Sequence, residues 1–253
     1  MRRIALTIAY DGTAYSGWQA QANAVTVEGT LRDAIRKLCG EDVVTLGASR
    51  TDAGVHALGN VVAWDTESPI PGERFAPALN SFLPDDIRVM RSWEADAAFH
   101  PRFDAHKKRY EYRIACARTV SPLRCRYVCG VPEQLDIAAM QRGAEQFVGT
   151  HDYSAFCAAG AQTESKIRTV TRCEVYREAD EIVIGVEGDG FLYNMIRILA
   201  GTLIEMGRGA KDPESLTAIL ESQDRTKAGP TAPPQGLTLI KIWYESSETS
   251  IEK

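Results

Sequence analysis

The strongest constraint on this chain is the alternation of short runs of period two with runs of helical period. Ile4, Leu6 and Ile8 alternate with Ala5, Thr7 and Ala9, a strand with one better-buried face that Asp11-Gly12-Thr13 ends. Thr26 is an N-cap for a helix that puts Val27, Leu31, Ala34, Ile35 and Leu38 on one face and closes at Gly40. Strand-like runs at Val43–Leu46 and Val61–Trp64 flank a polar loop. A short helix follows from Glu73 to Phe82, stopped by Pro84, and Ile87, Val89 and Trp93 give one more strand. Strand, helix, strand, loop, strand, helix, strand is the order of a split βαβ, ferredoxin-like sheet.

The second half repeats the mixture without a detectable sequence repeat. Tyr110, Tyr112 and Ile114 share one strand face, with Arg109, Glu111 and Arg113 on the other. The spacing of Ile137, Met140, Ala144 and Phe147 predicts a helix over Glu133 to Val148. Strands at Ile167–Tyr176 and Glu181–Glu187 are joined around Ala179-Asp180, and a strongly apolar helix is expected from Phe191 to Met206. Inside that helix Asn194 and Arg197 are the polar residues, so each needs a partner. A short helix from Asp212 to Glu221, a rigid loop over 229–236 and a last strand at Leu237–Tyr244 complete the pattern. The expected architecture is α+β: two ferredoxin-like, RRM-like halves with mainly antiparallel sheets, 1–104 and 105–245, and a disordered tail at 246–253.

With 253 residues, 44% hydrophobic and 25% charged, the chain can bury a large core and reads as a globular protein. No segment approaches a membrane span. Arg2-Arg3 is followed by an apolar run too short for a signal core, so a cytoplasmic protein is expected. Six cysteines form no paired framework and no zinc-ligand set, which suggests free thiols in a reducing compartment and no metal. A net charge of -5 argues against coating nucleic acid by charge alone. However, the stretch from Arg102 to Arg126 carries eight basic side chains against Asp104 and Glu111: a solvated face, or a patch that tracks phosphates. Tyr15 and Trp18, beside glycines, are either tucked into the core or offered to bases.

Chemistry is best placed at Gly47–Ala57. Arg50, Asp52 and His56 bring a guanidinium, a carboxylate and an imidazole into seven residues between two apolar strands. A polar turn with Asp52 capping an amide and a site on a rigid scaffold both fit this loop. Dinucleotide, Walker-type, G-x-S-x-G and H-E-x-x-H motifs are absent.

Several stretches in order, spanning almost the whole chain, resemble the tRNA pseudouridine synthase A family. They are Tyr10-Asp11-Gly12-Thr13 with Tyr15 and Gly17-Trp18-Gln19; Arg50-Thr51-Asp52-Ala53-Gly54-Val55-His56-Ala57; Phe99-His100-Pro101-Arg102-Phe103; Lys108-Arg109-Tyr110-Glu111-Tyr112; the run from Gly188 to Arg197; and Gly229-Pro230-Thr231-Ala232-Pro233-Pro234. One departure is Ser49, where the family usually has glycine; a modest change in loop freedom is expected. The resemblance implies the pseudouridine synthase fold with a central cleft between the halves. It implies conversion of uridine to pseudouridine on the 3′ side of the tRNA anticodon stem-loop, by a homodimer without cofactor.

It also implies roles. Asp52 matches the family nucleophile, which either attacks C1′ or assists a glycal route through C2′. Arg197 resembles the arginine that pairs with this carboxylate and keeps it ionised; Arg50 matches the residue that accompanies base flipping. Tyr110 matches the residue that stacks on the flipped base. Trp18 and the basic run are candidate RNA contacts, and His56 is structural. Two other classes compete: a silent tRNA-binding module, against which the joint presence of Asp52, Arg50, Tyr110 and Arg197 counts, and an Asp-dependent hydrolase, which lacks a clear second carboxylate or metal ligands.

Overall fold

The computed structural model describes residues 1–160 and 163–245, so the tail expected at 246–253 lies outside the described residues. The chain divides into two compact units, Met1–His106 with Leu239–Lys253, and Lys107–Thr238. The division falls two residues beyond the expected boundary, and residues 239–245 group with the first unit instead of the second.

In the first unit β1 (Arg2–Tyr10) is followed by α1 (Val27–Cys39), β2 (Leu46–Gly47), β3 (His56–Thr66), α2 (Phe75–Asn80) and β4 (Ile87–Ala95). β1 lies between β3 and β4 and is antiparallel to both, while β2 pairs with β3. This is the split βαβ arrangement expected from the pattern. Ile4, Leu6 and Ile8 are fully buried. Ile4 pairs with Trp64, whose ring meets Phe75 of α2 edge-on at 5.4 Å. Helix α1 starts where Thr26 accepts from the Gly29 amide, a cap worth about 1 kcal/mol. It ends at Gly40, whose φ of 73° is the left-handed conformation that glycine adopts without strain.

The strand expected at Val43–Leu46 is a correction. Only Leu46 and Gly47 join the ladder. Val44 is 77% exposed, and the Thr45 hydroxyl donates to Glu28 of α1 at 2.6 Å, so side-chain contacts replace strand pairing there.

The second unit contains β5 (Ala105–Cys116), β6 (Cys129–Val131), α3 (Ile137–Glu145), β7 (Gly149–Asp152), β8 (Ile167–Glu178), β9 (Glu181–Gly188), α4 (Met195–Gly207) and α5 (Leu216–Ser222). β9 sits between β5 and β8, antiparallel to both, with β7 beyond β8; β6 adds to β5 in parallel. β5, α3 and β8 with β9 inserted therefore repeat the split unit of the first half. Tyr110, Tyr112 and Ile114 face the same way as their partners Val186, Ile184 and Ile182, and all six are buried. α3 and α4 approach closely because Gly143 and Gly207 leave room for Met206 and Met140: an added Cβ would fall 2.5 and 2.8 Å from those sulfurs. The last strand, β10 (Leu237–Tyr244), neighbours β3. A Cβ on Gly59 would come 2.8 Å from the Ile240 carbonyl oxygen.

Two helices begin later than their patterns suggest. α3 starts at Ile137, capped by Asp136, which accepts from the Ala139 amide. α4 starts at Met195, because Asn194 takes a left-handed conformation (φ 59°) that no helix can run through. Phe191–Asn194 is therefore a loop. Among the described residues no helix is long and apolar enough to cross a membrane.

Candidate active site

The polar loop of the first unit is clamped from below by the segment after β1. Trp18 donates its amide to the Thr51 carbonyl at 3.0 Å, and Gly54 donates to the Tyr15 carbonyl at 3.3 Å. Tyr10 and Thr51 share a hydroxyl hydrogen bond of 2.7 Å. Two glycines make the approach feasible. A Cβ on Gly12 would fall 2.0 Å from the Val55 carbonyl oxygen; one on Gly17 (φ 88°) would fall 2.7 Å from that of Thr51. From the other side, Asn60 of β3 is fully buried and donates to the Ser49 carbonyl at 3.0 Å.

Asp52 and Val55 close the tip of the loop, the Val55 amide donating to the Asp52 carbonyl at 3.1 Å, and Gly54 supplies the left-handed residue (φ 76°) the tip requires. The Asp52 side chain is half-buried and Arg50 is exposed. Ser49 is not among the described residues with a left-handed backbone, so a side chain in place of the family's usual glycine is unstrained.

His56 is the first residue of β3 and only 4% exposed. Its Nδ1 accepts from the Gly12 amide at 3.1 Å and lies 3.2 Å from Asp11 Oδ1. A neutral ring that accepts at Nδ1 carries its proton on Nε2. The imidazole thus ties the end of β1 to the loop's exit, the structural role expected of it.

Trp18 takes the core alternative. It is 2% exposed, stands 5.9 Å from the Tyr10 ring, and occupies the place where a Cβ on Gly47 would come 2.6 Å from its Nε1. The ring supports the loop from beneath and offers no face to a base, which withdraws it as an RNA contact. Tyr15 is also buried, its hydroxyl donating to Asp86 at 2.7 Å; burial and the Asp86 carboxylate both push its ionisation up.

In the second unit Tyr110 lies on β5, 6% exposed, with Phe191 edge-on at 5.3 Å. Arg197 lies in the first turn of α4 and is half-buried. Its Nε donates to the Ala232 carbonyl at 2.8 Å and its Nη1 to Asn194 Oδ1 at 2.7 Å. The two polar residues noted in the apolar helix run are therefore partners. The 229–234 loop is laid along α4: the Ala232 amide donates to the Arg197 carbonyl at 3.0 Å, and the Gly229 amide donates to the Thr202 hydroxyl at 2.8 Å. A Cβ on Gly201 would collide with the Pro230 carbonyl oxygen at 1.9 Å. Asn194 and this loop hold Arg197 in place, a pairing that the pattern did not specify although it marked both the polar Asn194 and the proline-rich run.

Four of the eight basic side chains from Arg102 to Arg126 are paired with carboxylates. Arg109 binds Glu111, Glu174 and Glu187 at 3.0–3.1 Å, Lys107 binds Glu187 at 2.7 Å, Arg113 binds Glu111 and Glu178, and Arg124 binds Glu181. Gly185 of β9 leaves the space that Arg109 fills, 3.1 Å from an added Cβ. Burial lowers the Arg109 ionisation but the three carboxylates outweigh it, so the guanidinium is held charged. This corrects the reading of a phosphate-tracking patch over the whole run.

Among the described residues no group of three or more His, Cys, Asp or Glu side chains forms a metal-binding cluster. The donor set of the loop suits charge and hydrogen-bond chemistry by a carboxylate, as in attack on, or stabilisation of, an electron-poor sugar carbon.

A family model described as tRNA pseudouridine synthase matches residues 6–104 and 144–245. Similar curated proteins named tRNA pseudouridine synthase A include that of Caldicellulosiruptor saccharolyticus, 47% identical over 96% of this chain and 100% of its own length. The proteins of Acetivibrio thermocellus and Brevibacillus brevis are 48% and 45% identical, with the same coverage of both chains. On the matched residues and on these relatives, the chain belongs to the tRNA pseudouridine synthase family.

Proposed function

We propose that this chain isomerises uridine to pseudouridine in the anticodon stem-loop of tRNA, with Asp52 as the catalytic carboxylate. The observation that supports this most is the loop itself: glycines, a buried asparagine and a buried histidine all serve to hold Arg50-Thr51-Asp52 in one backbone geometry.

The reaction breaks N1–C1′, turns the uracil, forms C5–C1′, moves the C5 proton to solvent and returns a proton to N1. Atoms and electrons balance without an external reagent. Asp52 acts at the sugar, either by bonding to C1′ or by taking the C2′ proton. In this proposal Arg197 is the positive group that offsets the cost of desolvating the Asp52 carboxylate. The bonds from Arg197 to Ala232 and Asn194 support that role, since a guanidinium fixed at two donors is preorganised for a third partner. Arg50, exposed at the loop, accompanies the flipped uridine, and Tyr110 stacks on the uracil. A cytoplasmic homodimer that needs no cofactor is the working form we infer.

Tritium release from unmodified tRNA carrying C5-labelled uridine tests the reading. Release is expected, and it should vanish when the uridines on the 3′ side of the anticodon stem-loop are replaced by cytidine. No release from any transcript contradicts the reaction; release that survives the replacement contradicts the site.

A further inference from the structure

The segment between β4 and β5 is a turn built around one exposed ring. Three contacts fix it to the first unit. Arg3 Nη1 donates to the Phe99 carbonyl at 2.7 Å, the Phe99 ring meets Tyr244 of β10 edge-on at 5.2 Å, and the Tyr244 hydroxyl donates to the Pro101 carbonyl at 2.9 Å. Within the turn the His100 amide donates to Asp104 Oδ2 at 2.8 Å, and the Phe103 and Asp104 amides donate to the His100 carbonyl at 3.1 and 3.0 Å. His100 Nδ1 accepts from the Arg102 and Phe103 amides at 3.2 and 3.3 Å, so the neutral imidazole carries its proton on Nε2. The turn held in this way presents Phe103 to solvent, 74% exposed.

A single exposed phenylalanine is ordinary, but this one has defined neighbours. The His100 ring lies against it, centroids 4.2 Å apart and planes tilted by 37°, which sets its position from one side. The Arg102 guanidinium carbon stands 5.8 Å from the Phe103 ring centroid. Unlike the four paired basic side chains that follow it, Arg102 makes no ion pair among the described residues. Both oxygens of Asp65 are taken by Arg3 at 2.9 Å, and Asp104 accepts from the His100 amide. The place in the sheet is also defined. Arg3, which holds the turn, pairs with Ala95 at one end of β1, while Tyr10, which holds Thr51 of the polar loop, ends the same strand. Seven residues of strand at about 3.3 Å each separate these two anchors, about 23 Å.

We propose that Phe103 and Arg102 form a contact for an unpaired tRNA nucleotide on the order of 20 Å from the flipped uridine. The base stacks on the Phe103 ring and the adjoining phosphate meets the Arg102 guanidinium. An exposed aromatic ring beside a cation that no carboxylate neutralises is the combination that holds single-stranded nucleic acid. A base inside a paired stem has both faces covered by its neighbours, so the ring selects a nucleotide that is unpaired or at the end of a stack. The unneutralised cation favours this anionic partner over an apolar patch on a second copy of the chain. His100 is a positioning residue, since its ring and its Nδ1 both hold the turn. The proposal rests on the tRNA reading above and adds Phe103 and His100, to which the family resemblance gives no role.

The test measures affinity for unmodified tRNA transcript, with tritium release followed separately. Phe103→Ala should weaken binding roughly 5-fold or more. Phe103→Tyr, which keeps a flat ring, should restore it, and Phe103→Leu, which is apolar without one, should not. Arg102→Gln should flatten the slope of log affinity against log salt by about 0.7, the share of one phosphate contact. Wild-type affinity in Phe103→Ala, equal affinity in the Leu and Tyr variants, or an unchanged salt slope in Arg102→Gln would overturn the proposal. So would a change of oligomeric state in Phe103→Ala on sedimentation, which would assign the ring to a second copy of the chain. Wild-type protein that binds tRNA but releases no tritium would overturn the catalytic reading alone, and the affinities would still decide the contact. Wild-type protein that does not bind tRNA overturns both.

Discussion

Replacing Gly17 by alanine probes whether the Arg50–Asp52 loop is held by backbone geometry. Gly17 has φ 88° and would place a Cβ 2.7 Å from the Thr51 carbonyl oxygen, the atom that accepts from the Trp18 amide. A non-glycine residue there costs about 1–2 kcal/mol in backbone strain. Displacing Thr51 weakens a hydrogen bond worth about 0.5–1.5 kcal/mol. The expected loss of stability is therefore about 2–3 kcal/mol. Gly40→Ala is the control: its φ is 73° but nothing lies within 4 Å of the new atom, so only the strain applies. Because both substitutions change the unfolded chain alike, the difference between them, about 0.5–1.5 kcal/mol, isolates the contact with Thr51. Urea unfolding measures it. Turnover should separate the two further. Gly40→Ala keeps kcat near wild type, whereas a shift of the loop by about 1 Å in Gly17→Ala should lower kcat on the order of 100-fold. Equal stabilities and equal kcat for the two variants would refute the clamp.

Other consequences follow from the second unit. Asn194→Gly keeps the left-handed backbone but removes the acceptor of Arg197 Nη1, so kcat should fall about 10-fold with tRNA affinity unchanged; Asn194→Ala, which adds strain, should also lower Tm. Tyr110→Phe should retain most of its single-turnover rate if the ring only stacks, and lose it if the hydroxyl takes part in C5 proton loss. Glu187 gains proton affinity from burial, but Lys107 and Arg109 outweigh this and hold its ionisation below the usual carboxylate range. A depressed carboxylate stabilises the fold above its unfolded pKa and loses that contribution as pH falls through the folded one, so Glu187→Gln should flatten the acid side of the stability profile. An unchanged acid limb in urea midpoints would contradict this.

Much of this was legible in the chain because it is local. Thr26 and Gly40 mark the two ends of α1 within one residue, since capping is chemistry between near neighbours. The Leu237–Tyr244 strand is bounded by a proline-rich loop and a change of period, and it forms as expected. The polar loop was visible as a loop, but its clamp was not: Gly12, Gly17 and Asn60 reach it only after β1 and β3 pair. The basic run misled for the same reason. Glu174, Glu178, Glu181 and Glu187 come from β8 and β9, far along the chain, and only the sheet register brings them over Arg109 and Arg113. The start of α4 was misplaced because an apolar run says nothing of the left-handed turn at Asn194.

The central claim is that the Asp52 carboxylate carries the reaction. Single-turnover tritium release by Asp52→Asn, compared with wild type at matched tRNA occupancy, tests it most directly. The substitution keeps the side chain's shape and the Val55-to-Asp52 backbone bond while removing the charge. The account predicts unchanged tRNA binding and thermal stability with release reduced to background. Release at a rate near wild type would contradict it.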